Sequence, residues 1–130
     1  MRSNCPITCA LDLLGDPWML VILRDVLLAR KRRYSELARP EGIATNVLAK
    51  RLKRLEEAGL LTVQRDPADG RSRLYRPTPA AIELIPVLLE LSAWGLAHTE
   101  HGTAHRELVA ELQADREGFI AKLKAAAAQP

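Results

Sequence analysis

Residues 42–61 read GIATNVLAKRLKRLEEAGLL, and this stretch decides the fold. Leu48, Leu52 and Leu55 recur at i, i+4, i+7 and draw one apolar stripe along a helix. Gly59 stands where a left-handed cap would stop that helix. The spacing therefore predicts an amphipathic helix over about 45–58, followed by a strand. Asn46, Lys50, Lys53 and Arg54 fall on the opposite face, with Ala49 beside them. A narrow buried stripe under a basic, partly small-residue outer face suits insertion into a DNA major groove. Taken alone, a basic amphipathic helix is more often a solvated surface element. The sequence on both sides shifts the balance.

Downstream, Leu61-Thr62-Val63-Gln64-Arg65 alternates apolar and polar as a half-buried strand does. Asp66-Pro67-Ala68-Asp69-Gly70 is turn chemistry, and Ser72 to Arg76 reads as the returning strand. Arg65, Arg71, Arg73 and Arg76 decorate this hairpin of about 61–76. Arginines at a hairpin tip are placed to reach phosphates or a minor groove, although tips are also charged simply because they are wet.

Upstream, Tyr34-Ser35-Glu36-Leu37-Ala38 predicts a short helix beginning at Tyr34 or Ser35, and Arg39-Pro40-Glu41-Gly42 a turn. Two helices joined in this way match a DNA-binding helix-turn-helix, whose second helix reads bases. With the hairpin attached, the combination is a winged helix. The fold class expected is mainly α, an α+β winged helix. It has a helix-turn-helix core, a two-stranded β-wing and flanking dimerisation helices. The basic run Arg30-Lys31-Arg32-Arg33 has two readings, a solvated loop or a phosphate contact where the first helix would cross the DNA backbone.

The outer bounds agree. A chain of 130 residues is enough for one domain with a real core. A net charge of +3 permits nucleic-acid binding without demanding it, so distribution matters more than the total. The basic residues concentrate between Arg30 and Arg76, and acids are heavier after Glu83. Asp12, Asp16, Arg24 and Asp25 interrupt the N-terminal apolar segment, no apolar run is read as reaching membrane length, and the start lacks the build of a signal peptide. The expectation is a cytoplasmic protein with no membrane contact.

The remainder reads as helical scaffold. Pro6 to Leu14 predicts a helix with proline at its favoured first position, ended by Gly15 and Asp16. Pro17 opens a second, central helix through Leu27. Pro79 begins a long helix, kinked at Pro86, with Ile82, Ile85, Leu88, Leu89 and Leu91 to Trp94 on its buried face. After Gly102 a last helix is expected over about 104–127, with Leu108, Leu112, Phe119, Ile120 and Leu123 in register and the tail Ala125 to Pro130 frayed. Its apolar face needs a cover. A second copy of the chain is the favoured partner, and folding back on its own domain is the alternative. A twofold dimer would set two recognition helices roughly 34 Å apart and require a palindromic operator. The domain division expected is 5–102 for DNA binding and 103–130 for a C-terminal dimerisation helix.

A family resemblance rests on many spaced residues. They are Cys5-Pro6, Ala10-Leu11-Asp12-Leu13-Leu14-Gly15, Trp18, Tyr34-Ser35-Glu36-Leu37, Gly42-Ile43, Leu48, Arg51-Leu52, Leu55-Glu56 and Gly59-Leu60, with Tyr75, Thr78, Pro86 and Trp94 beyond. Over about Cys5 to Thr99 the chain resembles the HxlR family of bacterial transcription regulators, relatives of the MarR winged-helix proteins. The resemblance implies a homodimer that binds double-stranded DNA through recognition helix and wing and controls a nearby gene or its own. It also implies that Asp69 steadies Arg71 across the wing turn. The chain departs from the family at Gly15-Asp16-Pro17-Trp18, where Gly-Gly-Lys-Trp is common. It departs again at Ala44, where Ser or Thr starts the recognition helix and Thr45 offers a substitute cap, and at Pro77-Thr78, where Leu-Thr is usual.

The DNA-contacting set expected is Ser35, Thr45, Asn46, Ala49, Lys50, Arg51, Lys53, Arg54, Arg71 and Arg73. Thr45, Asn46, Ala49 and Lys50 are the base-edge candidates: Asn pairs with adenine, Lys with guanine, and Ala or a Thr methyl touches the thymine methyl. Arg51, Lys53 and Arg54 are phosphate candidates, and Arg51, nearest the buried stripe, has the rival reading of a brace for the fold. Arg71 and Arg73 are the wing contacts.

Cys5 falls at a helix N-cap, where backbone N–H groups and the dipole favour a thiolate, and Arg2 adds a nearby charge. The resemblance implies redox or electrophile sensing at this position in some members; a quiet thiol is the rival. Cys9 does not match the sensing position, and a Cys5–Cys9 bond within one helix is geometrically poor. His98, His101 and His105 would share a face only on a continuous helix, and Gly102 interrupts it, so no metal is expected. No Gly-rich phosphate loop, nucleophile motif or acid–base pair points to an enzyme, and no cofactor is implied. The alternatives to a thiol-switched repressor are a regulator with a small-ligand pocket near the dimer interface, or a winged helix used only for protein contact.

Overall fold

A computed structural model describes residues 3–38 and 42–130. The turn expected at Arg39 to Glu41, and Arg2, lie outside the described residues. Ten elements follow in order: α1 (Pro6–Leu14), α2 (Pro17–Leu27), α3 (Tyr34–Leu37), α4 (Thr45–Glu57), β1 (Leu61–Arg65), β2 (Arg73–Pro77), α5 (Pro79–Ile82), α6 (Ile85–His98), α7 (Arg106–Ala114) and α8 (Arg116–Ala127).

α2 is the hub. Met19, Ile22, Leu23, Val26 and Leu27 are buried along it, and α1, α3, α4, α5, α6 and α8 all pack against it. Asp16 starts it by accepting a hydrogen bond from the Trp18 amide at 2.8 Å, with proline at the first turn. α1 and α2 meet at 81°. Gly15 permits this bend, because a Cβ there would lie 2.4 Å from the Leu11 carbonyl oxygen.

α4 buries Leu48, Leu52 and Leu55, the stripe read from the sequence. Its end is a complete Schellman motif. Gly59 has φ +76°, its amide donates to the Glu56 carbonyl at 3.0 Å, and Leu60 donates to Leu55 at 2.9 Å. Leu55 and Leu60 are both buried and close the motif with an apolar contact. At the other end Ala44 is the N-cap and no side chain caps it; Thr45 is already helical rather than a substitute cap.

β1 and β2 pair antiparallel with Val63 opposite Tyr75, and the return strand starts one residue later than expected. Thr78 joins the parts behind the wing. Its hydroxyl donates to the Gly59 carbonyl at 2.7 Å and accepts from the Ala81 amide at 3.3 Å.

Several scaffold expectations are corrected. Pro86 does not kink a long helix. It sits in the first turn of a new one, so α5 stops at Ile82 and α6 restarts at Ile85, as a residue that lacks an N–H allows. On α6 only Ile85, Leu88 and Leu89 are buried, while Leu91 and Trp94 are 49% and 61% exposed. The stretch Pro79–His98 has a mean hydropathy of 1.6, long and apolar enough by composition to cross a bilayer, and the sequence reading passed over it.

The C-terminal helix is two helices. Asp115 leaves helical geometry (φ −153°, ψ 84°) and its carboxylate accepts from the Gly118 amide at 3.1 Å, capping α8. Val109, Leu112, Phe119 and Ala127 are buried against the chain's own α2 and α6 side, so the apolar face has an intramolecular cover. The alanine run stays helical to Ala127, which is 1% exposed, and does not fray there.

Candidate nucleic-acid interface

α3 is only four residues long and is held by its neighbours. Glu36 accepts from the amides of Arg32 at 3.2 Å and Arg33 at 3.0 Å. The Tyr34 hydroxyl donates to the Thr45 carbonyl at 2.9 Å, fixing α3 against the start of α4. With Leu48, Leu52 and Leu55 turned inward, the remaining faces of α4 present Thr45, Asn46, Ala49, Lys50, Lys53 and Arg54 to solvent. Ser35 is exposed on α3, and Arg71 and Arg73 are exposed on the wing.

These elements enclose a half-open groove of about 710 Å³. Ser35, Ala49, Lys53, Arg71 and Arg73 line it together with Arg33 and Glu56. Helix and wing thus bring five of the ten expected contact residues to one concavity, while Thr45, Asn46, Lys50 and Arg54 lie outside its lining on exposed surface.

Arg51 takes the bracing role. Its guanidinium lies 2.6 Å from the Asp16 carboxylate and is largely withdrawn from solvent. That hydrogen bond, more than the charge alone, holds the Asp16 carboxyl below the usual carboxylate range. Arg51 therefore faces the α1–α2 junction. Asp16, the N-cap of α2, is its partner.

The basic run before α3 is also mostly engaged. Arg33 clasps Asp66 through Nε at 3.0 Å and Nη2 at 2.7 Å. Asp66 is 4% exposed at the root of the wing turn. The Ala68 amide, at 2.9 Å, and then Arg33 hold its carboxyl below the ordinary value, and Asp66 in turn raises the Arg33 pKa. Asp69 steadies the turn through one backbone and one hydroxyl donor. It accepts from the Arg71 amide at 3.1 Å and the Ser72 hydroxyl at 3.2 Å, rather than from the Arg71 guanidinium. Lys31 lies 4.0 Å from the buried Asp25, and Arg30 is exposed at φ 57°.

The sequence reading missed Asp16, Arg33 and Asp66 as the struts of this face. An Asp before Pro-Trp is legible as an N-cap. Its partner 35 residues on is not, because spacing along a chain says nothing of which helices cross.

Cys5 is the N-cap of α1 and half-buried. The Thr8 amide and hydroxyl, then the Ile7 amide, hold its thiol pKa below the ordinary value. Cys9 donates its thiol to the Ser3 carbonyl at 3.4 Å, and both cysteines are free. Two of the three histidines have separate partners. His98 lies against Trp94 with ring centroids 5.0 Å apart, and His105 meets the Ser92 hydroxyl at 3.1 Å. Among the described residues no three His, Cys, Asp or Glu side chains gather as a metal site would require. A shallow groove of about 210 Å³ opens between α2 and α6 beside Leu91.

A family model described as HxlR-like helix-turn-helix matches residues 13–114. An uncharacterised HTH-type transcriptional regulator of Mycobacterium tuberculosis is 37% identical over 86 residues, covering 66% of this chain and 54% of that protein. The chain thus spans about half the length of that relative. A second such regulator, from Halalkalibacterium halodurans, is 34% identical over 72% of this chain and 84% of its own length. Among solved structures, the reduced form of the transcriptional regulator YodB from B. subtilis superposes with a TM-score of 0.60 at 30% identity, covering 75% of this chain and 97% of that one.

Proposed function

This chain belongs to the HxlR-like helix-turn-helix family, and on that premise we propose that it is a sequence-specific DNA-binding repressor of transcription that works as a homodimer. The carrying observation is the cationic concavity between α4 and the wing, where Lys53, Arg71 and Arg73 face one space beside Lys50 and Arg54 on exposed surface. Thr45, Asn46, Ala49 and Lys50 read base edges in the major groove, and Ser35, Lys53 and Arg54 position the helix on phosphates. Arg71 and Arg73 reach the adjacent backbone or minor groove. Residues 5–102 form the DNA-binding unit and 103–130 buttress it.

The dimer face is assigned to α1 and α6 rather than to the C-terminal helices. Ile7, Leu11 and Leu13 are 71%, 50% and 47% exposed on α1, and Val87, Leu91 and Trp94 are 44%, 49% and 61% exposed on α6. Side chains of this size left in water on two helices mark an association surface.

Fluorescence anisotropy on the DNA upstream of its own gene, against a scrambled duplex, tests the reading. Selective binding that weakens with salt and saturates at one dimer per site is expected. Replacing Lys50 and Arg54 together by Ala should weaken it by about tenfold or more. Unchanged affinity in a dimeric double variant overturns the assignment.

Cys5 modification is the proposed signal. Its support is the lowered thiol pKa at a helix N-terminus, and YodB has been crystallised both reduced and after diamide treatment. Mild oxidant should lower the DNA affinity of the natural chain and spare Cys5→Ser. An equal drop in both proteins removes Cys5 as the sensor.

A further inference from the structure

Arg32 belongs to two parts of the molecule at once. Its main chain belongs to the wing. The Arg32 carbonyl accepts from the Tyr75 amide at 2.8 Å, and the next residue, Arg33, forms an antiparallel bridge with Leu74. Its side chain belongs to the ends of two helices. Nη1 donates to the Val26 carbonyl in the last turn of α2 at 2.7 Å and to the Lys31 carbonyl at 3.1 Å. Nη2 donates to the carbonyls of Ala127 at 3.1 Å and Gln129 at 3.4 Å, at the end of α8.

A guanidinium set on the free carbonyls of two helix C-termini meets the negative ends of both dipoles. Those carbonyls are what offset its removal from water. Burial lowers the Arg32 pKa, and its Nε is buried without a partner among the described residues. Ala127, which supplies one of the carbonyls, is 1% exposed, so the end of α8 is seated firmly.

We propose that Arg32 is a positioning residue for the wing, through which the docking of α8 fixes the root of the hairpin. Loosening the end of α8 frees Arg32, and freeing Arg32 loosens β2 and the Asp66 clasp beside it. The consequence for DNA rests on the function proposed above; the consequence for wing order does not.

Amide hydrogen exchange on the whole chain separates the two. Arg32→Met removes the link from one side. Ala127→Leu removes it from the other, by forcing bulk into a filled space while leaving Arg32 intact. In both variants the Tyr75 and Asp66 amides should exchange about tenfold faster while the Leu52 amide in α4 is unchanged. Arg116→Ala, which breaks the Arg116–Glu90 pair at the other end of α8, should leave the Tyr75 amide as it was. Faster exchange confined to α2 and α8, or spread evenly over α4 and the wing, overturns the coupling. In DNA titrations Arg32→Met should cost about fivefold, and that loss should vanish when Arg71 and Arg73 are both Ala. Faster wing exchange with unchanged DNA affinity would sustain the coupling and sink the wing's role in DNA binding.

Discussion

The two ends of the chain carry amphipathic helices of similar character and opposite fate. α7 and α8 bury Val109, Leu112, Phe119 and Ala127 against their own domain. α1 buries only Leu14 and leaves Ile7, Leu11 and Leu13 in water. An apolar stripe states that a cover is needed and not which surface supplies it. At the C-terminus the cover is intramolecular and is latched by polar contacts. Lys124 pairs with Glu83 at 3.0 Å, Arg116 with Glu90, and Arg32 with the final carbonyls. Around α1 the described contacts form the short bend into α2, and its outer face stays exposed.

That contrast predicts effects of different size and kind. The largest belongs to Phe119→Ala. Emptying a buried aromatic site should cost about 3–5 kcal/mol in urea unfolding, with a midpoint independent of protein concentration. A loss that disappears on raising the concentration would restore the C-terminal helices to the dimer interface. Next comes Leu91→Glu combined with Trp94→Glu. Charging this exposed face should turn the dimer into monomer by sedimentation, while the monomer's own stability shifts by no more than about 1 kcal/mol. Persistent dimers would place the interface elsewhere.

The smallest effect is the acid response, and it separates the ionic front of the molecule from its apolar back. Asp16 and Asp66 both titrate below the ordinary carboxylate value when folded. The unfolded chain therefore takes up these protons first. Their contribution is full above about pH 4 and drains away as the pH falls through the folded values. Asp66→Asn should flatten that part of the profile and loosen the wing near neutral pH. An unchanged acid profile would mean that the clasp carries no net stability.

The parts of this fold that were legible in the sequence are those set by local period and local punctuation. Leu48, Leu52 and Leu55 with Gly59 define α4, the alternation from Leu61 defines β1, and proline opens α1, α2 and α5. Misreadings arose where one residue had two local meanings. Pro86 equally describes a kink and a first turn, and Asp115 caps a helix inside a pattern that runs on in register. The long-range ties were not legible. Arg51 to Asp16, Arg33 to Asp66 and Arg32 to Ala127 each depend on which elements cross. So a run of basic residues read as a solvated loop or a phosphate contact contains two of the fold's struts.

The Thr78 hydroxyl, which joins Gly59 to the start of α5, has a practical corollary. The junction of α4, hairpin exit and α5 is tied through main-chain atoms and one threonine. Asn46, Lys50 and Lys53 have no share in that junction. If those outward positions read DNA as proposed, they can be exchanged as a cassette while the joint that carries them is left untouched.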